Sequence, residues 1–184
     1  MQLILSDIAH LDQHISTFIN HPDRYRPSQC LHCGSSGLWA HGVYYRKAAC
    51  EKGVGCCAPI QRFLCPDCEQ TCSVLPEYIP PRRWYHWIVQ QLAFRLLMMG
   101  QSLLKVCKHL AASLPNPLTP DISTLYRWRR QCRCQFTEHH FHLCSQYPEL
   151  GRYACYQTFW QACLDKMPLS EAMLKLHRAG LSIP

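Results

Sequence analysis

Two short stretches decide the fold, Cys30-Leu31-His32-Cys33 and Cys65-Pro66-Asp67-Cys68. Each C-x-x-C turn aims two sulfurs at one point, and a hairpin-sized segment separates the two turns. Together they supply four thiolates for one tetrahedral ion, so one structural Zn2+ per chain is expected on Cys30, Cys33, Cys65 and Cys68. Gly34 permits a positive φ after the first pair, and Pro66 stiffens the second. Four protein ligands leave no open position for water or substrate, so this ion would hold a fold together and do no chemistry.

Working outward, residues 38–47, 59–64 and 70–75 read as three short antiparallel strands. In the first of them Trp39, His41, Val43 and Tyr45 alternate with Leu38, Ala40, Gly42, Tyr44 and Arg46. The whole, over 27–79, resembles a zinc ribbon. Its internal loop carries Cys50, Cys56 and Cys57, which lack knuckle spacing and are read as non-ligands. Before it, 1–26 reads as a helix with Ser6 as N-cap and Ile8, Leu11, Ile15 and Phe18 as its apolar stripe. A disulfide framework would need an oxidising compartment, yet Met1-Gln2-Leu3-Ile4-Leu5 runs straight into Ser6-Asp7 with no basic and apolar leader; a reducing cytoplasm is expected.

The 184-residue chain has a formal charge of +7 and no apolar run of the roughly 20 residues that would span a bilayer, so no membrane partner is expected. The charge is unevenly placed. Between Tyr78 and Cys134 the sole carboxylate is Asp121, against Arg82, Arg83, Arg95, Lys105, Lys108, Arg127, Arg129, Arg130 and Arg133. A concentrated positive field suits a polyanion such as double-stranded DNA.

Pro80-Pro81-Arg82-Arg83 reads as a stiff basic linker that opens a segment spanning 80–136. Three short helices follow it. The first covers Trp84 to Met99, with Ile88, Leu92, Leu96 and Met99 inside and Gly100 as its stop. Ser102 caps the second, which carries Leu103, Val106, Cys107 and Leu110. Asp121 caps the third, in which Ile122, Leu125, Trp128 and Cys132 face inward. Short helices with narrow stripes must pack together, which gives a trihelical helix-turn-helix. Ser123, Thr124, Arg127, Arg130 and Gln131 would then project outward as base readers, with Arg129 and Arg133 on phosphates and Arg82 and Arg83 along the backbone or in a groove. The connection Leu114 to Pro120 is longer than the usual turn. A C-terminal helical segment, 137–184, completes a chain of the α+β class that is mostly α. Within it Tyr153 to Leu164 and Ser170 to Ala179 read as helices, the latter capped by Ser170 and closed by Gly180 and Leu181. Cys132, Cys134, His139, His140, His142 and Cys144 read as a helix end with surface histidines.

Cys-Leu-His-Cys-Gly, Pro-Ile-Gln-Arg-Phe-Leu-Cys-Pro-Asp-Cys-Glu-Gln-Thr-Cys-Ser, the Pro-Pro-Arg-Arg linker and Ser-Thr-Leu-Tyr-Arg-Trp resemble the zinc-ribbon and helix-turn-helix modules of bacterial insertion-sequence proteins. Those include transposase N-terminal regions and small InsA-type regulators. The resemblance covers roughly Cys30 to Cys134 and implies binding of element-end or promoter DNA. No enzyme is expected. After Cys134 only Glu138, Glu149, Asp165 and Glu171 remain, too few and too scattered for a two-metal nuclease. The expected function is that of a noncatalytic, zinc-stabilised DNA-binding regulator or targeting subunit of a mobile element. An adaptor that binds a transposase or polymerase, and a thiol-redox sensor using the other cysteines, are the alternatives.

Overall fold

The computed structural model describes residues 2–5, 7–48, 56–80, 85–114 and 119–183. Within them the chain is α+β, with seven α-helices and one small four-stranded mixed sheet. It divides into two compact units, Met1–His86 and Trp87–Pro184. None of the described helices is long and apolar enough to cross a membrane.

The first unit opens on a strand, where the sequence suggested a helix. β1 (Gln2–Leu5) pairs in parallel with β4 (Thr71–Pro76), in the register Gln2↔Ser73 to Leu5↔Pro76. An apolar run too short to form a helix thereby gains a ladder partner, and Leu3 and Leu5 pack on the core. The sheet order is β1-β4-β3-β2, with β2 (Trp39–Ala48) and β3 (Cys56–Leu64) antiparallel; four strands replace the expected three.

α1 (Leu11–Asn20) starts later than expected, and Ser6 lies outside the described residues. Its first turn is closed by Gln13, whose Oε1 accepts from Ala9 N at 3.1 Å while Nε2 donates to Asp7 O at 2.9 Å. The buried face of α1 is His14 and Thr17, with Leu11 and Phe18 half-covered and Ile15 exposed. His14 fits because both ring nitrogens are bonded, one 2.6 Å from Tyr25 OH and the other 2.7 Å from Pro59 O. The core around it comprises Ile8, Tyr25, Leu38, Ile60, Phe63 and Leu75.

In the second unit α2 (Trp87–Met98) touches α3 (Leu103–Ser113), α4 (Ile122–Cys134), α6 (Tyr156–Lys166) and α7 (Leu169–Arg178). Surrounded in this way, α2 buries Trp87, Val89, Gln90, Ala93, Phe94, Leu96, Leu97 and Met98. Of the stripe expected to face inward, Ile88 and Met99 instead lie 53% and 67% exposed and Leu92 is half-buried. Phe94 sits between Trp128 and Trp160, at ring separations of 6.3 and 6.2 Å. α5 (Phe136–Gln146) and the C-terminal segment close the unit: His139 is fully buried, edge-on to Trp160, and its Nε2 lies 2.8 Å from Ser182 O. His139 is therefore a core residue, not a surface one.

Several terminators behave as the sequence implies. Gly100 (φ 79°) donates to Leu97 O while Gln101 donates to Leu96 O, the Schellman arrangement, and Gly180 and Leu181 repeat it on His177 and Leu176. Ser102 and Asp121 accept from Lys105 N and Thr124 N. Ser170 does not cap α7, whose N-cap is Pro168; Gln91 of α2 takes the Leu169 N–H at 2.7 Å instead.

Candidate metal centre and basic helix face

The two knuckles have the same backbone. In the first, Cys30 N donates to Ser35 O at 2.7 Å and Gly34 N to Cys30 O at 2.9 Å; in the second, Cys65 N donates to Gln70 O and Glu69 N to Cys65 O, both at 3.0 Å. Each loop closes with a residue at positive φ, Gly34 at 79° and Glu69 at 55°. The first knuckle is tied to the sheet by Arg26, which donates to Leu38 O at 2.6 Å and lies over the Phe63 ring. The second follows directly from β3 and leads into β4.

All four sulfurs lie within 4.8 Å of one another, and among the described residues this is the one cluster of His, Cys, Asp or Glu that could hold a metal ion. Cys30 Sγ is 3.7 Å from Cys68 Sγ, and Cys33 Sγ is 3.6 Å from Cys65 Sγ. These separations are far beyond a disulfide bond of about 2.05 Å. They match the sulfur–sulfur edge of about 3.8 Å in a tetrahedron whose metal–sulfur bonds are about 2.3 Å.

Charge makes the same point. Hydrogen bonds from the Ser35 hydroxyl and then its backbone N–H bring the Cys33 thiol down to about 6. The N–H groups of Cys33 and His32 lower Cys30. The Gln70 N–H favours a Cys68 thiolate too, but burial and the three neighbouring sulfurs outweigh it and push Cys68 up to about 12. The site is built to hold thiolates, and four thiolates this close coexist only beside a compensating positive charge. Cys30, Cys33, Cys65 and Cys68 thus fit a thiophilic, four-coordinate cation.

The sequence-predicted DNA residues divide. Ser123, Arg127, Arg130 and Arg133 are exposed on α4, and Arg129 is half-buried. Thr124 is not on the outer face: it is 7% exposed and its Oγ1 accepts from Arg127 Nη2 at 2.9 Å. Gln131 is committed elsewhere, its Nε2 donating to Ser182 Oγ at 2.5 Å and Ile183 O at 2.8 Å. The Ser123 hydroxyl donates to Asp121 at 2.8 Å, and the Asp121 carboxyl is held below its usual range by the Thr124 N–H and then by this hydroxyl. Arg82 and Arg83 lie outside the described residues, as does most of the loop before α4.

Two residues were misassigned or missed. Ile122, expected inside, is 44% exposed, and Tyr126, unassigned, is 51% exposed. At about 100° per residue, Ile122 lies about 60° from Leu125 but about 120° from Trp128, at the margin of the buried stripe and not within it.

No family model, curated protein or solved structure matches this chain.

Proposed function

We propose that this chain is a noncatalytic, zinc-stabilised protein that binds duplex DNA, serving a mobile element as a regulator or end-recognition subunit. In this reading the first unit is a zinc ribbon, and α2 to α4 act as a helix-turn-helix with α4 as recognition helix. The observation that carries it is the exposed face of α4, which presents Arg127, Arg130 and Arg133 and forms no ion pair among the described residues. Arginine in a groove reads guanine bidentately or holds phosphates. A closed tetrahedral set of four thiolates suits zinc, which would hold the two knuckles together. The link to transposition rests on the family resemblance alone.

Duplex binding by the purified chain, followed across salt concentrations, tests this. With about six phosphates neutralised, log K should fall against log salt with a slope near −5. Arg127→Ala or Arg130→Ala should cost about 1–3 kcal/mol on a preferred site and relax one base position. Added Mg2+ or Mn2+ should produce no strand cleavage. Salt-insensitive or undetectable DNA binding would remove the reading in favour of a protein-interaction adaptor, for which edge strand β2 offers Trp39 and Tyr45 at 62% and 71% exposure.

A further inference from the structure

Ile122 and Tyr126 occupy successive turns of α4, and Arg130 continues the same line one turn further on. Scattered exposed apolar side chains are ordinary on protein surfaces. Here the two form a continuous ridge inside a face that is otherwise cationic, flanked by Arg127 and Arg133. Among the described residues Tyr126 has neither a hydrogen-bond nor a ring partner. The ridge belongs to the N-terminal half of α4, the part of a recognition helix that reaches base edges.

Resting on the DNA-binding reading above, we infer that Ile122 and Tyr126 read thymine through its 5-methyl group in the major groove. The occupant is set by charge and by chemistry. Arg130 and Arg133 beyond the ridge and Arg127 beside it favour a polyanion over an apolar protein pocket. Within duplex DNA the thymine methyl is the one apolar group that the major groove presents, and it distinguishes T·A from every other pair. Arg130 then reads or anchors the step beside it. The preferred site therefore contains an A·T pair opposite the start of α4, next to the base or phosphate that Arg130 contacts.

The test uses the full chain and a duplex selected from random sequence, remade with uracil in place of each thymine in turn. Uracil lacks only the methyl. The intact chain should lose about three- to fivefold in affinity at one or two positions, the worth of one buried methyl. Ile122→Ala or Tyr126→Ala should lose that sensitivity while keeping the salt slope and melting temperature, because neither side chain is in the core. Ile122→Val and Tyr126→Phe should retain it. If uracil is tolerated everywhere, or carries the same penalty in the alanine variants, the ridge does not read methyl groups, although salt-dependent binding would leave the DNA reading standing. If the intact chain shows no salt-dependent duplex binding, both fall together.

Discussion

Glu69 has a φ of 55° at the position in the second knuckle that Gly34 fills in the first, and it is the sole non-glycine at positive φ among the described residues. A left-handed conformation costs an ordinary residue about 1–2 kcal/mol, and glycine nothing comparable. At the matching Gly34 an added Cβ would meet no atom within 4 Å, so the cost of a side chain there is conformational. Glu69→Gly should therefore stabilise the metal-loaded first unit by about 0.5–1 kcal/mol, measured by denaturant unfolding, whereas Gly34→Ala should destabilise it by a similar amount. A loss of stability in Glu69→Gly would show that the Glu side chain contributes something the backbone argument omits. Gly34 was legible because glycine after a C-x-x-C turn advertises its backbone. Glu69 was not, because nothing in a glutamate signals positive φ; its role emerges from the shared hydrogen-bond pattern of the two knuckles.

α4 separates residues that hold the fold from those free to bind. Leu125 is fully buried and faces the core with Trp128, so Leu125→Ala should cost about 2–5 kcal/mol, read from thermal or denaturant melts. Arg130 is exposed, and Arg130→Ala should change stability by no more than about 0.5 kcal/mol. A large destabilisation by Arg130→Ala would mean that this face is structural. The caps Ser102 and Asp121 and the stops Gly100 and Gly180 were legible, because an N-cap side chain or a C-terminal glycine acts within four residues. Which face goes inward depends on neighbours. α2 packs against α3, α4, α6 and α7, so of the Ile88–Met99 line Leu96 goes inward and Leu92 partly so, while Ile88 and Met99 remain exposed. β2 fails by the same logic. Its pairs Trp39↔Leu64 and Tyr44↔Ile60 enclose a one-residue bulge at His41 and Gly42, which puts Trp39 and Tyr44 on one face and breaks the expected alternation. Gly42, with φ 97°, is the residue that permits it.

At the scale of the whole chain, the four candidate ligands all belong to the first unit, Met1–His86, and the arginine-bearing helix to the second. Chelation should accordingly melt the β-sheet signals of residues 1–86 and leave those of α2 to α7 in place, a separation that hydrogen exchange resolves. The second unit has its own acid sensitivity. Burial lowers the pKa of His139, only partly offset by its bond to Ser182 O, and Nδ1 has no hydrogen-bond partner among the described residues. A carbonyl acceptor requires Nε2 to carry the proton, so the folded state holds the neutral ring and charging it would place a cation against Trp160. The unfolded chain takes up that proton near pH 6.5 and the folded one only below it. The stabilisation is therefore complete above about pH 6.5 and is lost as pH falls through the lower folded value. His14 follows the same rule in the first unit, where burial outweighs its bond to Pro59 O. There, however, the thiolates also take up protons in acid, so the effect is cleanest in the second unit. Protection of α4 and α5 amides, measured on chelated protein between about pH 7.5 and 5.5, should decline in the unaltered chain and stay nearly level in His139→Gln, whose side-chain amide can still donate to Ser182 O. An equal decline in both would assign the acid sensitivity to some other group.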